Sequence, residues 1–367
     1  MKDVSDRFLD SLVRPHDRLT TFTCTPPGGD PVDLSWTSLT TTFTSSLGVR
    51  RTADATLSPV PGLDLYALCS TPGAIFDIAH GIDYGAGQSE LVPTFHGEAA
   101  SGSVSLVVGE VRLSLADMWQ RVERCRFLAP VAPAAGSRAA RIAAGITGAI
   151  PGAQVIISGD AGEIKAGTTW DRDRAQYLRD LATDGAVDVY PDTDGTWKIR
   201  PLPQMTPQSP AWVLRTGEYG NILSADRERP FDRLYNTVVV VPQDETQTWA
   251  RVVLKLANPD HPRHESKVGV VPFFWSSPTN ATRAQAMKAG RTILQRVTGI
   301  TDTMSLDALG NPALEGLETV AVAHQATDTS PGVSGSYFVD GGTLDHATGA
   351  MTLQVRSDEL AEIEEAA

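Results

Sequence analysis

Between Met351 and Arg356 the chain alternates strictly, with Met351, Leu353 and Val355 on one side and Thr352, Gln354 and Arg356 on the other. A period of two places every second side chain on the same face, so this stretch predicts a half-buried strand, entered from a turn in which His346 reads as an ordinary turn residue. Similar stretches recur from the start. LTTFTC (Leu19 to Cys24), VDLSW from Val32, Thr40 to Thr44, Leu63 to Cys69, Ile75 to Gly81, Leu91 to Gly97 and Ser103 to Leu115 predict short strands, and PPGGDP reads as a turn between the first two. A helix from Ser5 to Val13 precedes them, with Ser5 as cap and Phe8, Leu9 and Leu12 on one face. Short strands punctuated this often predict a small antiparallel barrel or sandwich.

Near Leu115 the periodicity changes. LADMWQRVERCRFLAP reads as a short helix running into the linker-like APVAPAAGS. Ser137 then caps a helix with Ile142, Ala143, Ile146 and Ile150 on one face and Pro151 as its stop. QVIIS predicts a strand. Asp171 is the expected cap of a second helix, with Leu178, Leu181 and Ala182 inward and Gly185 as its left-handed end. A hairpin follows, turning on Asp192, Thr193, Asp194 and Gly195.

After the Pro-rich PLPQMTPQSP the alternation returns. LYNTVVVVP predicts a buried strand, and Val252, Leu254 and Leu256 oppose Arg251, Val253 and Lys255. One helix interrupts at about residues 282–298, with Ala286, Gly290, Ile293, Leu294 and Val297 at helical spacing and Lys288, Arg291 and Gln295 facing away. ETVAVAH, SYFVD and AMTLQVRS complete the strands. The fold class expected is α+β and β-rich, with two antiparallel barrel-like domains, 1–125 and 206–367, flanking a small α/β domain, 126–205.

Composition narrows the function. The chain has 367 residues, 41% of them hydrophobic, enough for several real cores. Its formal net charge of -13 argues against a general duplex-DNA binder, because neutralising phosphates takes clustered Lys and Arg. The cluster Arg227, Arg229 and Arg233 is interleaved with Asp226, Glu228 and Asp232 and reads as a mixed-sign surface. Cys24, Cys69 and Cys125 are too widely spaced for a disulfide framework or metal knuckle and read as buried or free thiols. No basic-then-apolar leader precedes MKDVSDRFLDSL and no run reaches a membrane span, so synthesis in a reducing cytoplasm is expected.

Candidate chemistry is sparse. His261 and His264, with Asp260 and Glu265, could approach one metal ion, but the proline-broken NPDHPRHES reads better as an exposed loop. Asp188, Asp192 and Asp194 precede a glycine as in a calcium loop, yet the twelfth position is Ile199 where a bidentate Glu is needed. Gly145 and Gly148 lie inside an apolar helix, not in a phosphate loop. Glu90 or Glu98 with Asp83 could form a glycosidase pair, although nothing in the spacing supports one. Trp36, Trp170, Trp197, Trp212, Trp249 and Trp275 are too dispersed for an obvious sugar-binding platform. The expectation is therefore no catalytic residue, no cofactor and no metal.

The ensemble of motifs resembles phage tail-hub proteins. Asn311 to His324 (NPALEGLETVAVAH), Tyr337 to Asp340, and the closing Met351 to Arg356 are similar to the end of those proteins. VSDRFLDSLVRPHDRLTTFTC, DRLYNTVVVV and TRAQAMKAGRTILQRV resemble the corresponding parts of minor tail proteins of actinobacterial phages. The resemblance implies a structural hub of the tail tip, not an enzyme, in which three copies form a ring. Because each copy supplies two similar barrels, the ring is pseudo-sixfold and joins a sixfold tube to threefold tip proteins. It implies as partners the chain itself, a distal tail or tube protein, a tape measure protein and tail fibre or tip proteins, in a virion assembled in the bacterial cytoplasm.

DNA would pass the lumen without specific binding, kept from adhering by carboxylates. The chain closes on DELAEIEEAA, expected to be a short acidic tail or helix, where larger hubs append a lysozyme-like domain. The alternatives to a hub are a carbohydrate-binding receptor module, expected to show exposed aromatics on one face, and a cell-wall hydrolase, expected to need Glu98 or Asp83.

Overall fold

The computed structural model describes residues 1–164, 169–202, 209–217, 220–228, 235–242, 249–276, 282–298, 303–327, 332–357 and 363–365. Its main feature is one sheet of 13 strands built from both ends of the chain. Along the sheet run Ile222–Glu228, Thr303–Leu309, Ala350–Ser357, Val333–Asp345, Trp36–Thr44, Arg51–Leu57, Val111–Asp117, Gln88–Val104, Ile75–Gly85, Asp17–Thr25 and Val32–Asp33, each antiparallel to the next. Thr319–His324 joins at the side of Val333–Asp345, and Trp212–Arg215 pairs with it in parallel.

The expected β-rich fold with antiparallel sheets is present; the N- and C-terminal strands share one ladder, and no closed barrel forms among the described residues. The cause lies in Val333–Asp345. Its first half pairs with Thr319–His324, and beyond a bulge between Val339 and Gly341 its second half pairs with Trp36–Thr44, from Gly341 opposite Thr44 to Asp345 opposite Thr40. Gly341 and Gly342 permit that switch. A Cβ on Gly341 would lie 2.5 Å from the Phe43 carbonyl oxygen, and one on Gly342 2.8 Å from Leu353 Cδ2. On either side of the switch sits a separate core. Phe22, Leu39, Leu57, Phe76, Ile78, Phe95 and Leu115 fill the first. Leu306, Val320, Val339, Leu344, Met351, Leu353 and Val355 fill the second, so the alternation read from Met351 to Val355 does face a core.

The middle region is an α/β unit. Ser137 caps the helix Arg138–Ala149 by accepting from Ala140 N, and Ile142 and Ile146 are buried as their spacing predicts. The helix Arg174–Gly185 is capped by Asp173, not Asp171, and its left-handed end is Ala186 (φ 49°), not Gly185. Gly185 is required for space instead, since a Cβ there would come within 3.1 Å of the Ala161 carbonyl oxygen. Val187–Pro191 and Trp197–Pro201 form the expected hairpin, with Val155–Ile157 added in parallel. Gly145 and Gly148 let the two helices close up: Cβ atoms there would meet Leu178 Cδ2 at 2.7 Å and Arg174 Nη1 at 2.6 Å.

Two strand expectations fail in the N-terminal half. Leu63 to Cys69 contains a helix, Leu65–Cys69, because the Asp64 carboxylate accepts from Ala67 N and caps it, and because Leu65 and Cys69, four apart, are the residues buried. Ser103 to Leu115 is broken by a tight turn at 105–110, closed by Ser105 N donating to the Glu110 carbonyl oxygen and relieved by Gly109 at φ +76°. The strands of the third region divide between two sheets. Thr237–Val241, Val252–Leu256, Pro272–Ser276 and Ile363–Glu365 form a separate four-stranded sheet. The helix Arg283–Thr298 packs on it, entered through reciprocal hydrogen bonds between Thr282 and Gln285. Of the closing acidic segment, Ile363–Glu365 is strand and the remainder lies outside the described residues. No helix among the described residues is long and apolar enough to cross a membrane.

Replacing Gly342 with Val should lower stability by about 1–3 kcal/mol through overpacking at the strand switch. Gly335→Ala on the same strand, whose new Cβ would lie no closer than 3.5 Å to its nearest neighbour, should cost less than half as much. Urea denaturation of the two variants beside the parent reads the difference.

Candidate functional site

Three parts of the chain meet at a buried polar junction. Arg50 and Arg51, at the start of Arg51–Leu57, point toward the hairpin of the α/β unit. The Arg50 guanidinium donates through both Nη atoms to the Asp188 carboxylate, with Nη1 to Oδ2 at 3.2 Å, and Arg200 Nε reaches the same carboxylate at 3.3 Å. The Tyr190 ring lies against both guanidiniums, 4.4 Å from Arg50 Cζ and 4.9 Å from Arg200 Cζ. Arg51 Nη2 donates to Glu315 Oε1 at 2.8 Å, which brings in the C-terminal half. Below them the buried Asp117 carboxylate accepts from the backbone N–H groups of Arg50, Arg51 and Trp119, while burial pushes its pKa up to about 6. Every charge here has an opposite partner or a set of donors. Such a junction fixes how three regions sit together; it offers no nucleophile beside a base.

A second junction is made by His346, which is only 3% exposed and therefore not an ordinary turn residue. Its Nε2 is 3.0 Å from Thr41 Oγ1, and its Nδ1 is 3.3 Å from Nδ1 of His80, which in turn is 2.8 Å from Thr20 Oγ1. Strands Trp36–Thr44, Ile75–Gly85 and Asp17–Thr25 are thus linked through one side chain of the C-terminal half. Burial, then Arg18 and His16, pushes His80 down to about 4. Burial and His80, opposed by Asp345, push His346 down to about 3. Both imidazoles are neutral at neutral pH. Nothing local in the sequence marks this pair, because its members are 266 residues apart.

The residues singled out by sequence do not converge. His261 is buried, its Nδ1 accepting from Arg263 N, while His264 caps the short helix Glu265–Val268 and Glu265 pairs with Lys255. The exposed-loop reading of this stretch is corrected to that extent. Asp192 pairs with Lys198, and Asp194 accepts from Thr196 N and Oγ1 inside the hairpin turn. Glu90 accepts from Ser5 N and Oγ, and the buried Glu98 pairs with Arg121 and Arg124. On the partner strand Asp83 stands opposite Ser89, so Glu90, opposite Ile82, projects from the other face of the ladder, and Glu98, opposite Ile75, lies eight residues from Asp83, roughly 25 Å along the strand.

Asp83 accepts from Gly85 N in its own hairpin. Trp170, Trp197 and Trp212 are buried, and Trp36, Trp249 and Trp275 pack against cores. Cys24 and Cys69 share a hydrogen bond inside the N-terminal core. Asp226, Arg227 and Glu228 lie on Ile222–Glu228, whereas Arg229, Asp232 and Arg233 fall outside the described residues. Among the described residues no group of three or more His, Cys, Asp or Glu side chains is placed to hold a metal.

What the surface does display is apolar residues on strands at sheet margins. Ile156 and Ile157 are exposed on Val155–Ile157, Val213 on Trp212–Arg215, Leu223 on Ile222–Glu228 and Phe274 on Pro272–Ser276. An edge strand carries unpaired N–H and C=O groups, and apolar side chains beside them suit contact with another chain.

The fold is similar to that of the tail protein from Neisseria meningitidis, at 15% identity over 92% of this chain and 97% of that one, with a TM-score of 0.67. It is similar also to the 43 kDa tail protein of prophage MuSo2 from Shewanella oneidensis, at 14% identity over 93% and 100% of the two chains and a TM-score of 0.63. A prophage tail protein from Listeria monocytogenes matches at 9% identity over 92% and 94%, with a TM-score of 0.57. No family model and no curated protein matches the sequence.

Arg50→Met, which leaves the buried Asp188 with Arg200 as its remaining cation, should cost at most about 3–5 kcal/mol in urea denaturation, and Arg50→Met with Asp188→Leu should recover part of it. The histidine pair predicts an acid dependence. Both pKa values are lower in the folded state, so the unfolded chain binds more protons and stability falls as pH drops from about 6.5 toward 4. Asp117 acts in the opposite direction below about pH 6, so the comparison that isolates the pair is the parent against His80→Gln/His346→Gln. The slope of stability against pH in that window should be smaller in the double variant.

Proposed function

We propose that this chain, which has the fold of phage tail proteins, is a structural component of a phage tail tip: a central or baseplate hub, not an enzyme. The observation that carries the reading is the extent of the likeness to the Neisseria tail protein, which runs over 92% of this chain and 97% of that one. A fold retained nearly end to end at 15% identity means that architecture, more than any residue set, is what the two chains share. The two buried junctions fit such a role, because they hold three regions of one chain in a single arrangement.

In this reading three copies form a ring. Each brings the two β cores that share the large sheet, so six similar cores surround the axis and a sixfold tube can meet threefold tip proteins. The apolar margins at Val213, Leu223 and Phe274 are the surfaces that neighbours cover. The partners are further copies, a distal tail or tube protein, a tape measure protein and fibre or tip proteins, in a virion assembled in the bacterial cytoplasm. The net charge of -13 suits a lumen through which DNA passes without adhering.

Native mass spectrometry of the purified protein, with quantitative proteomics of assembled tails, tests the reading. Three copies per complex and per tail are expected. A protein that stays monomeric and is absent from purified tails overturns it.

A further inference from the structure

A cavity of about 290 Å³ lies on the seam between the two halves of the chain, close to the lower bound of about 300 Å³ for small-molecule pockets. The N-terminal half supplies Phe8 and Leu12 from the helix Asp6–Leu12, and Ile82 from Ile75–Gly85. The C-terminal half supplies Leu309 and Ala350, which stand opposite each other in their ladder. Such walls suit an aliphatic body.

The basic part of the lining, His16, Arg18 and His80, comes from the N-terminal half alone. Arg18 is opposite Ile82 and Thr20 is opposite His80, so Arg18 and His80 are diagonal neighbours on one face, about 7–8 Å apart. A carboxylate fits between them. Arg18 Nη1 donates to the Thr348 carbonyl oxygen, and the side chain lies over Gly349, where a Cβ would come 2.7 Å from its Cδ. The C-terminal half thus places the guanidinium. Its Nε and Nη2 make no hydrogen bond to the described residues, and no described carboxylate pairs with it. Those two donors form the parallel edge that grips a carboxylate through two hydrogen bonds. His80 is only 5% exposed; its Nδ1 meets Thr20 Oγ1 and His346 Nδ1, while its Nε2 has no partner among the described residues. With Nδ1 accepting from Thr20, the ring proton sits on Nε2 and is the donor His80 offers an occupant.

The overall negative charge does not set the field here. Asp17 and Asp83 are one residue out of step with Arg18 and Ile82 and project from the other face of the ladder. Glu90, on the same face as Ile82, is held by Ser5 and Tyr84, and Asp345 accepts from Ala347 N and Thr348 N. After burial, Arg18 and His16 are what hold the pKa of His80 down, as a positive wall must. More distant carboxylates are screened beyond about 8 Å at physiological salt.

We propose that this cavity binds a small aliphatic monocarboxylate, with its carboxylate between Arg18 and His80 Nε2 and its apolar body against Phe8, Leu12, Ile82 and Leu309. One permanent cation and one neutral N–H match a single negative charge, whereas a phosphate dianion would keep a charge uncompensated. The occupant touches both halves, so its binding stabilises their arrangement. The site lies within one chain and stands apart from the ring reading.

Calorimetric titration of the full chain at neutral pH tests this with sodium octanoate, 1-octanol and inorganic phosphate as probes. Octanoate should saturate a single site and raise the thermal midpoint, 1-octanol should bind about fivefold or more weakly, and phosphate should not saturate. Arg18→Gln should weaken octanoate by about fivefold or more and leave 1-octanol unchanged, while Ala350→Leu, which fills the cavity, should weaken both. Circular dichroism and the thermal midpoint without probe, unchanged in each variant, report an intact fold.

Octanoate that fails to saturate by about 10 mM overturns the site. Equal binding of octanoate and 1-octanol, or an Arg18→Gln variant that keeps the parent's preference for octanoate, overturns the carboxylate recognition. A multi-copy complex that excludes octanoate while the single chain binds it overturns the proposal in favour of a second copy as the occupant.

Discussion

Backbone N–H and C=O groups that leave water must find partners, and the strand Val333–Asp345 meets that demand with Ala350–Ser357 along one edge and with two different neighbours in succession along the other. Everything else in the architecture follows from this division. The first half of the strand organises the C-terminal core, and the second half ties that core to Trp36–Thr44 and so to the N-terminal one. The bulge at Asp340 and the two glycines after it are the local expense of one strand belonging to both. Two cores thereby become one body without a linker between them.

Local periodicity was legible and long-range pairing was not. Ser137 as a cap, Leu178 and Leu181 as an inward stripe, and Val252, Leu254 and Leu256 as a buried row all depend on neighbours within one or two turns or along one strand, which a single sequence contains. Leu63 to Cys69 misled because a five-residue helix is too short to show its period. Ser103 to Leu115 misled because three aliphatics at a hairpin tip look like the middle of a strand. The ladder that joins the two halves was not legible at Gly341 and Gly342, whose spacing demands become visible only when Phe43, 298 residues away from the first of them, is beside them. Arg50 with Asp188, and His80 with His346, are invisible for the same reason.

The buried charges and imidazoles act on arrangement more than on net stability. Desolvating Arg50, Arg51, Asp188 and Asp117 offsets much of what their pairing returns, but each partner also makes every other placement of the α/β unit worse. A protein whose proposed work is to present fixed surfaces gains from that selectivity.

The join between the halves has a mechanical consequence. Force along its strands loads the hydrogen bonds together, whereas force across them breaks bonds one at a time, beginning at an end. At one end Asp340 accepts from Ser45 N and faces Arg356, and at the other His346 N donates to the Leu39 carbonyl oxygen while its ring meets His80 and Thr41. Each place where peeling would start is therefore fastened by side chains as well as by the ladder, and the two lobes carry tension as a single spring.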